Sequence, residues 1–176
     1  MILGMSLATF TQLHTIISLI AIVSGIVAAL GMVSARRMPG TTALFLSMTV
    51  ATSVTGFMFD TPAEAPRVIG SLDPPKLIGL ISLIVLALAL LALYSYKLAN
   101  RWRGTYVVCA IVALYFNCFV LIVQSFQKIS FLHALAPTQK EPPFAVAQAS
   151  LLIVFIGLGV AAFKKFRPMI QAPAPA

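Results

Sequence analysis

The 176 residues are 60% hydrophobic and 9% charged, where an ordinary soluble domain carries about 25% charged residues, so the composition excludes a water-soluble globule. Twelve Lys and Arg against four Asp and Glu give a net charge of +8. With the bases split among short loops of so apolar a chain, that excess points to membrane topology and anionic lipid headgroups and away from nucleic acid.

The length suits one domain, and no polar linker or low-complexity block divides it. A bilayer core about 30 Å thick needs about 20 apolar residues per helical crossing. Residues 1–35, 38–59, 77–96, 104–127 and 142–163 contain no Asp, Glu, Lys or Arg. They predict an all-α polytopic bundle over 1–168, with five transmembrane helices near 10–34, 41–59, 75–97, 105–131 and 143–164.

The first run lacks a basic n-region and outlasts a signal h-region, so it reads as an uncleaved helix. It carries Gln12 and His14 near its start, with Gly25 and Gly31 suited to close packing. Pro39-Gly40-Thr41 precedes the second span, because proline is tolerated in a first helical turn where its missing N–H has no partner anyway. That span holds Ser47, Thr49, Thr52, Ser53, Thr55 and Gly56. The four-residue spacings Thr49/Ser53 and Thr52/Gly56 let two helix backbones approach closely.

Asp73-Pro74-Pro75 opens the third span. Tyr94, Tyr96, Trp102 and Tyr106 cluster around its end and the start of the fourth, as interface anchors do. On the fourth helix Asn117, Leu121, Gln124 and Lys128 form one stripe, with Gln127 beside it and His133 near the outer end. Cys109 and Cys118 lie nine residues apart, on opposite faces at about 100° per residue, and cannot bridge each other. Pro142-Pro143 opens the fifth span, which bears Gln148, Gly157 and Gly159. Pro168 and the tail 169–176 read as a disordered end.

Alternate loops face opposite sides. One side receives Arg36, Arg37, Lys97, Arg101, Arg103, Lys164, Lys165 and Arg167 without an acid. The other receives Arg67, Lys76, Lys128 and Lys140 with Asp60, Glu64, Asp73 and Glu141. The positive-inside rule makes the first side cytoplasmic, with the N-terminus outside and the C-terminus inside.

Ion pathways and proton relays use ionisable residues at membrane depth, and broken transporter helices often carry internal prolines. The runs hold no Asp, Glu, Lys or Arg, no proline falls in the interior of a span, and no inverted repeat is visible, which argues against ion-coupled transport. No Gly-x-Ser-x-Gly, His-Glu-x-x-His, Asp pair or Cys-x-x-C is present to support a nucleophile, a metal site or thiol chemistry.

What remains is polar and uncharged. Amides in hydrocarbon need partners, so Asn117 and Gln124 should face the bundle interior and, with Gln127 and Gln148, form a candidate set for a small lipophilic ligand. His14 and His133 fall on the same outer side and offer an alternative, an axial pair for haem b. Gln12, His14, Gln127, His133 and Gln148 are expected to gather beneath the loops Asp60–Lys76 and Ala134–Pro143. Three functions follow: a non-enzymatic accessory or ligand-binding bundle, a one-haem redox protein, or a small transporter or channel subunit. The expected partners are the lipid bilayer and another membrane protein or a second copy.

The segments Leu114-Tyr115-Phe116-Asn117-Cys118-Phe119-Val120, Gln124-Ser125-Phe126-Gln127-Lys128 and His133-Ala134-Leu135-Ala136-Pro137-Thr138-Gln139-Lys140-Glu141-Pro142-Pro143-Phe144 resemble a family of small uncharacterised bacterial multi-pass membrane proteins. Thr42-Ala43-Leu44-Phe45-Leu46 and Thr52-Ser53-Val54-Thr55-Gly56-Phe57 are similar to it as well. The resemblance implies only a membrane protein of unknown activity and transfers no catalytic or cofactor residue; the expected location is the bacterial inner membrane.

Overall fold

The computed structural model describes residues 2–59 and 73–167, and every regular element among them is helical. In chain order these are α1 (Leu7–Val33), α2 (Pro39–Gly56), α3 (Pro74–Leu90), α4 (Trp102–Lys128), α5 (Ser130–Leu135) and α6 (Pro142–Lys165), with a π-helical turn, Leu91–Ser95, prolonging α3. Glu64, Arg67, Pro168 and the expected disordered tail lie outside the described residues.

The helix starts follow the local chemistry. Ser6 caps α1 by accepting the Thr9 N–H at 3.1 Å, which begins the helix at Leu7, three residues before the expected start. Asp73 does the same for Lys76 N–H at 3.0 Å. Each cap satisfies a first-turn donor that has no intrahelical partner. Pro39, Pro74 and Pro142 each occupy the first position of their helix.

Among the described residues four helices are long and apolar enough to cross a membrane: α1, α3 with its π-helical turn, α4 and α6, with mean hydropathies of 2.6, 2.8, 2.5 and 2.3. A helix, α2, occupies the second expected span. Its 18 residues give a length of about 27 Å at 1.5 Å per residue, but with its serines and threonines it is not among the helices apolar enough to count as a crossing.

Paired contacts fix the direction of every long helix. His14 meets Thr55, Ser18 meets Thr52, and Gly25 meets Phe45, so α1 and α2 are antiparallel. Thr49 pairs with Asn117, and Gly25 is flanked by both Phe45 and Leu114, which makes α4 parallel to α2. Phe57 lies by Gly79 and Ser53 by Ser82, so α3 returns. Arg103 with Phe163, Ile111 with Gly159 and Phe119 with Gln148 set α6 antiparallel to α4. The five long helices therefore alternate, and α4 packs against α1, α2, α3 and α6.

This central position explains why Cys109 and Cys118 are both buried and unbridged although they point in opposite directions. Around them Phe45, Leu46, Leu86, Val107, Ala110, Ala113 and Leu114 form the core. Gly25 permits the closest approach: a Cβ there would stand 2.6 Å from Leu114 and 2.7 Å from Phe45.

The alternation also sorts the charges. Arg36 and Arg37 in the α1–α2 turn, Lys97, Arg101 and Arg103 between α3 and α4, and Lys164, Lys165 and Arg167 after α6 share one end of the bundle. Asp73, Glu141, Lys76, Lys128 and Lys140 belong to the other.

One expected boundary differs. The fourth helix stops at Lys128 instead of running to 131, because Ile129 takes an extended conformation with φ −93° and ψ 113°. A β-branched residue tolerates that backbone well, and the chain turns there into α5. His133 is thus carried by a separate short helix and not by the end of α4.

Candidate functional site

A subset of the polar residues in the apolar helices, His14, Ser18, Thr49, Thr52, Thr55 and Asn117, collects where α1, α2 and α4 meet. The layer begins with His14, half-buried on α1, whose Nδ1 lies 2.7 Å from Thr55 Oγ1. The Thr55 hydroxyl donates to Ala51 O at 2.7 Å. Its oxygen is therefore the acceptor in the contact with His14, which assigns the proton to Nδ1 and leaves a lone pair on Nε2. The Phe59 ring stands edge-on to the imidazole, with centroids 5.2 Å apart.

One turn deeper, Ser18 Oγ donates to its own helix at His14 O (2.7 Å) and reaches Thr52 Oγ1 at 3.3 Å. Deeper still, Thr49 is fully buried. Its hydroxyl donates to Phe45 O at 2.8 Å and accepts Asn117 Nδ2–H at 3.0 Å, tying α2 to α4. Ser53 Oγ donates to Ser82 Oγ at 3.4 Å and ties α2 to α3. The small-residue face of α2 thus works as a seam toward three neighbours, with each hydroxyl bonded either to its own backbone or across the contact.

The stripe on α4 divides. Asn117 faces α2, and Gln124 is half-buried without a side-chain hydrogen bond among the described residues. Leu121 and Lys128 are exposed. Of the expected outer layer, Gln12, Gln127 and His133 are exposed, while His14 is engaged by α2. No hydrogen bond or ring contact joins Gln12, His14, Gln127, His133 and Gln148 to one another among the described residues.

Gln148 on α6 donates through Nε2 to Phe119 O at 3.3 Å. Its Oε1 is enclosed and has no hydrogen-bond partner among the described residues, an arrangement that normally costs about 1–3 kcal/mol. Above it Gln139, with φ 58° in the Pro-flanked loop, donates Nε2–H to Val123 O at 2.9 Å. Glu141 gathers the Thr138 N–H, the Thr138 hydroxyl and the Lys140 N–H on its carboxylate.

Two elements escape sequence reasoning. The Gln139 bond to α4 carries no local signal, since its partner is sixteen residues back on another helix. Arg103 likewise donates Nη1–H to Phe163 O (2.9 Å) and Phe166 O (2.6 Å), closing the last turn of α6 from sixty residues away. A cation on terminal carbonyls complements the negative end of the helix dipole.

Chemically, the layer offers hydroxyls, amides and one neutral-capable imidazole, with no carboxylate at depth. It is equipped to hold helices together and to accept or donate single hydrogen bonds. Among the described residues, no group of three or more His, Cys, Asp or Glu side chains converges as metal ligands would. No protein-family model, curated protein or solved structure matches the chain.

Proposed function

We propose that this chain is a multi-pass integral membrane protein of the bacterial inner membrane, a non-enzymatic helical bundle that serves as an accessory or assembly component. It crosses five times, with α2 among the crossings, its N-terminus outside and its C-terminus in the cytoplasm. The family its sequence resembles is the natural home for such a chain. The observation that carries the reading is the outward apolar surface: Ile16, Val23 and Leu30 on α1, Ile84 and Leu88 on α3, and Ile153, Val154 and Ile156 on α6 are all exposed. Only 6% of the apolar window of α6 is buried. A contiguous surface of this kind exceeds what a soluble monomer tolerates, whereas hydrocarbon solvates it at no cost. The low hydropathy of α2 fits a crossing helix whose buried hydroxyls, Thr49 and Ser53, find a backbone acceptor or a neighbour.

Alkaline extraction of membranes from expressing cells tests the claim. The chain remains in the lipid pellet if it is integral, and recovery in the aqueous supernatant overturns the reading.

A second reading, binding of a small neutral lipophilic molecule, is favoured by Gln148, whose enclosed Oε1 lacks a donor. A ligand N–H or O–H reaching that oxygen between α4 and α6 would complete it. Lipid extracts of the purified protein should then yield a molecule that Gln148→Leu no longer retains. The one-haem alternative is separated by an absorption spectrum: a Soret band weakened by His14→Ala or His133→Ala would replace the accessory reading.

A further inference from the structure

The turn between α3 and α4 and the last turn of α6 enclose an open groove of about 720 Å³ at the basic end of the bundle. Asn100, Arg101 and Arg103 stand at its rim, and Val108, Cys109 and Phe163 line it. Gly104 allows the Phe163 ring to lie against α4, because a Cβ at that position would stand 2.8 Å from the ring. The Arg103 guanidinium is held in place by the carbonyls of Phe163 and Phe166 through Nη1 alone, with its Cζ 5.3 Å from the Phe163 ring centroid. Its Nε and Nη2 donors make no hydrogen bond among the described residues, and Arg101 is exposed.

Among the described residues no acid is paired with either cation. Asp73 caps α3 and Glu141 precedes α6, both at the opposite end of the bundle. The walls below the arginines are apolar: Val108 is 51% exposed and Phe163 45%. A free inorganic anion would satisfy the guanidinium groups and leave that apolar wall uncovered, whereas a zwitterionic headgroup would bring its own cation against them. Basic pockets between helices suit anionic headgroups for these reasons, and the volume lies in the range of small-molecule sites.

We propose that this groove binds an anionic diacyl phospholipid, its phosphate on Arg101 and Arg103 and an acyl chain along Val108 and Phe163 between α4 and α6. The site rests on the membrane reading above, and its failure is distinguishable from the failure of that reading. A chain that stays in the alkaline-washed pellet but shows no lipid preference loses only the groove.

Native mass spectrometry of the detergent-solubilised full chain, titrated with phosphatidylglycerol or phosphatidylcholine, tests it. The wild type should retain phosphatidylglycerol preferentially. Arg101→Gln should weaken that retention about five-fold, as expected for one basic residue at a lipid surface. Val108→Trp, which fills the groove without altering charge, should weaken it too, and Arg36→Gln, at the same end outside the groove, should leave it unchanged. Equal retention of the two lipids by the wild type overturns the proposal. So does a loss in Arg36→Gln as large as in Arg101→Gln, or displacement of phosphatidylglycerol by equimolar inorganic phosphate.

Discussion

Replacing Gly25 with alanine sets two effects of opposite sign against each other. Alanine is favoured over glycine in a helix interior by about 1 kcal/mol, so an unobstructed site would be stabilised. At Gly25 the new methyl would stand 2.6 Å from Leu114 Cδ1 and 2.7 and 2.8 Å from two atoms of the Phe45 ring. Both neighbours are 1% exposed and belong to the core shared by α1, α2 and α4, so neither side chain can swing aside. Overpacking of a close-packed core costs about 1–3 kcal/mol, and more where two neighbours must move. The net effect of Gly25→Ala should therefore be a destabilisation of about 1–2 kcal/mol. Gly157→Ala is the matched control: its Cβ would meet nothing within 4 Å, and helix propensity alone should make it neutral or stabilising. Equilibrium unfolding of the purified protein in mixed micelles reads both. A Gly25→Ala variant as stable as the wild type, or one no worse than Gly157→Ala, would refute the close approach of α1 to α2 and α4.

The remaining predictions concern the polar layer and the loop above it. Asn117→Leu removes the bond from α4 to Thr49 but leaves the Thr49 hydroxyl donating to Phe45 O, so its cost should be about 0.5–1.5 kcal/mol. The double-mutant cycle with Thr49→Val should show coupling of the same size, and zero coupling would remove the pair. At Glu141, desolvation works to raise the pKa, but hydrogen bonds from its own backbone N–H and from Thr138 and Lys140 outweigh it and hold the carboxyl below its ordinary range. The ordered turn should thus be fully stabilised above the ordinary carboxylate pKa and lose that contribution as pH falls through the lower, folded value. Protection of the Thr138 and Lys140 amides, measured against their intrinsic exchange rates, should fall in that acidic window, and the fall should be absent in Glu141→Gln. A Glu141 carboxyl that titrates at or above the ordinary value would contradict the turn.

The helices were legible because a bilayer crossing demands about 20 uncharged residues, and the chain's few charges mark where each helix ends. Prolines at 39, 74 and 142 stand at helix starts for the backbone reason already given. The break at Ile129 was not legible, since neither proline nor glycine marks it and the apolar pattern continues into Phe131 and Leu132. Sequence spacing therefore puts His133 near the outer end of the fourth helix, whereas it lies on the separate helix α5. Periodicity placed Asn117, Leu121, Gln124 and Lys128 on one stripe but could not say how much of it faces protein: Asn117 is paired with Thr49, while Leu121 turns outward. Hydroxyl spacing on α2 indicated a close-packed seam. The partners Ser82, Asn117 and Ser18 come from three other helices, and such pairings are set by tertiary packing that no local signal encodes.

The central claim is that five alternating helices cross a bilayer with the basic end in the cytoplasm. Paired reporters, one active only inside the cell and one only outside, read it directly when placed at Ala35, Glu64, Asn100, Gln139 and Ala176. The account predicts inside, outside, inside, outside and inside in that order. Glu64 and Ala35 reporting the same side would show that α2 does not cross, and an outside signal at Ala176 would contradict the orientation.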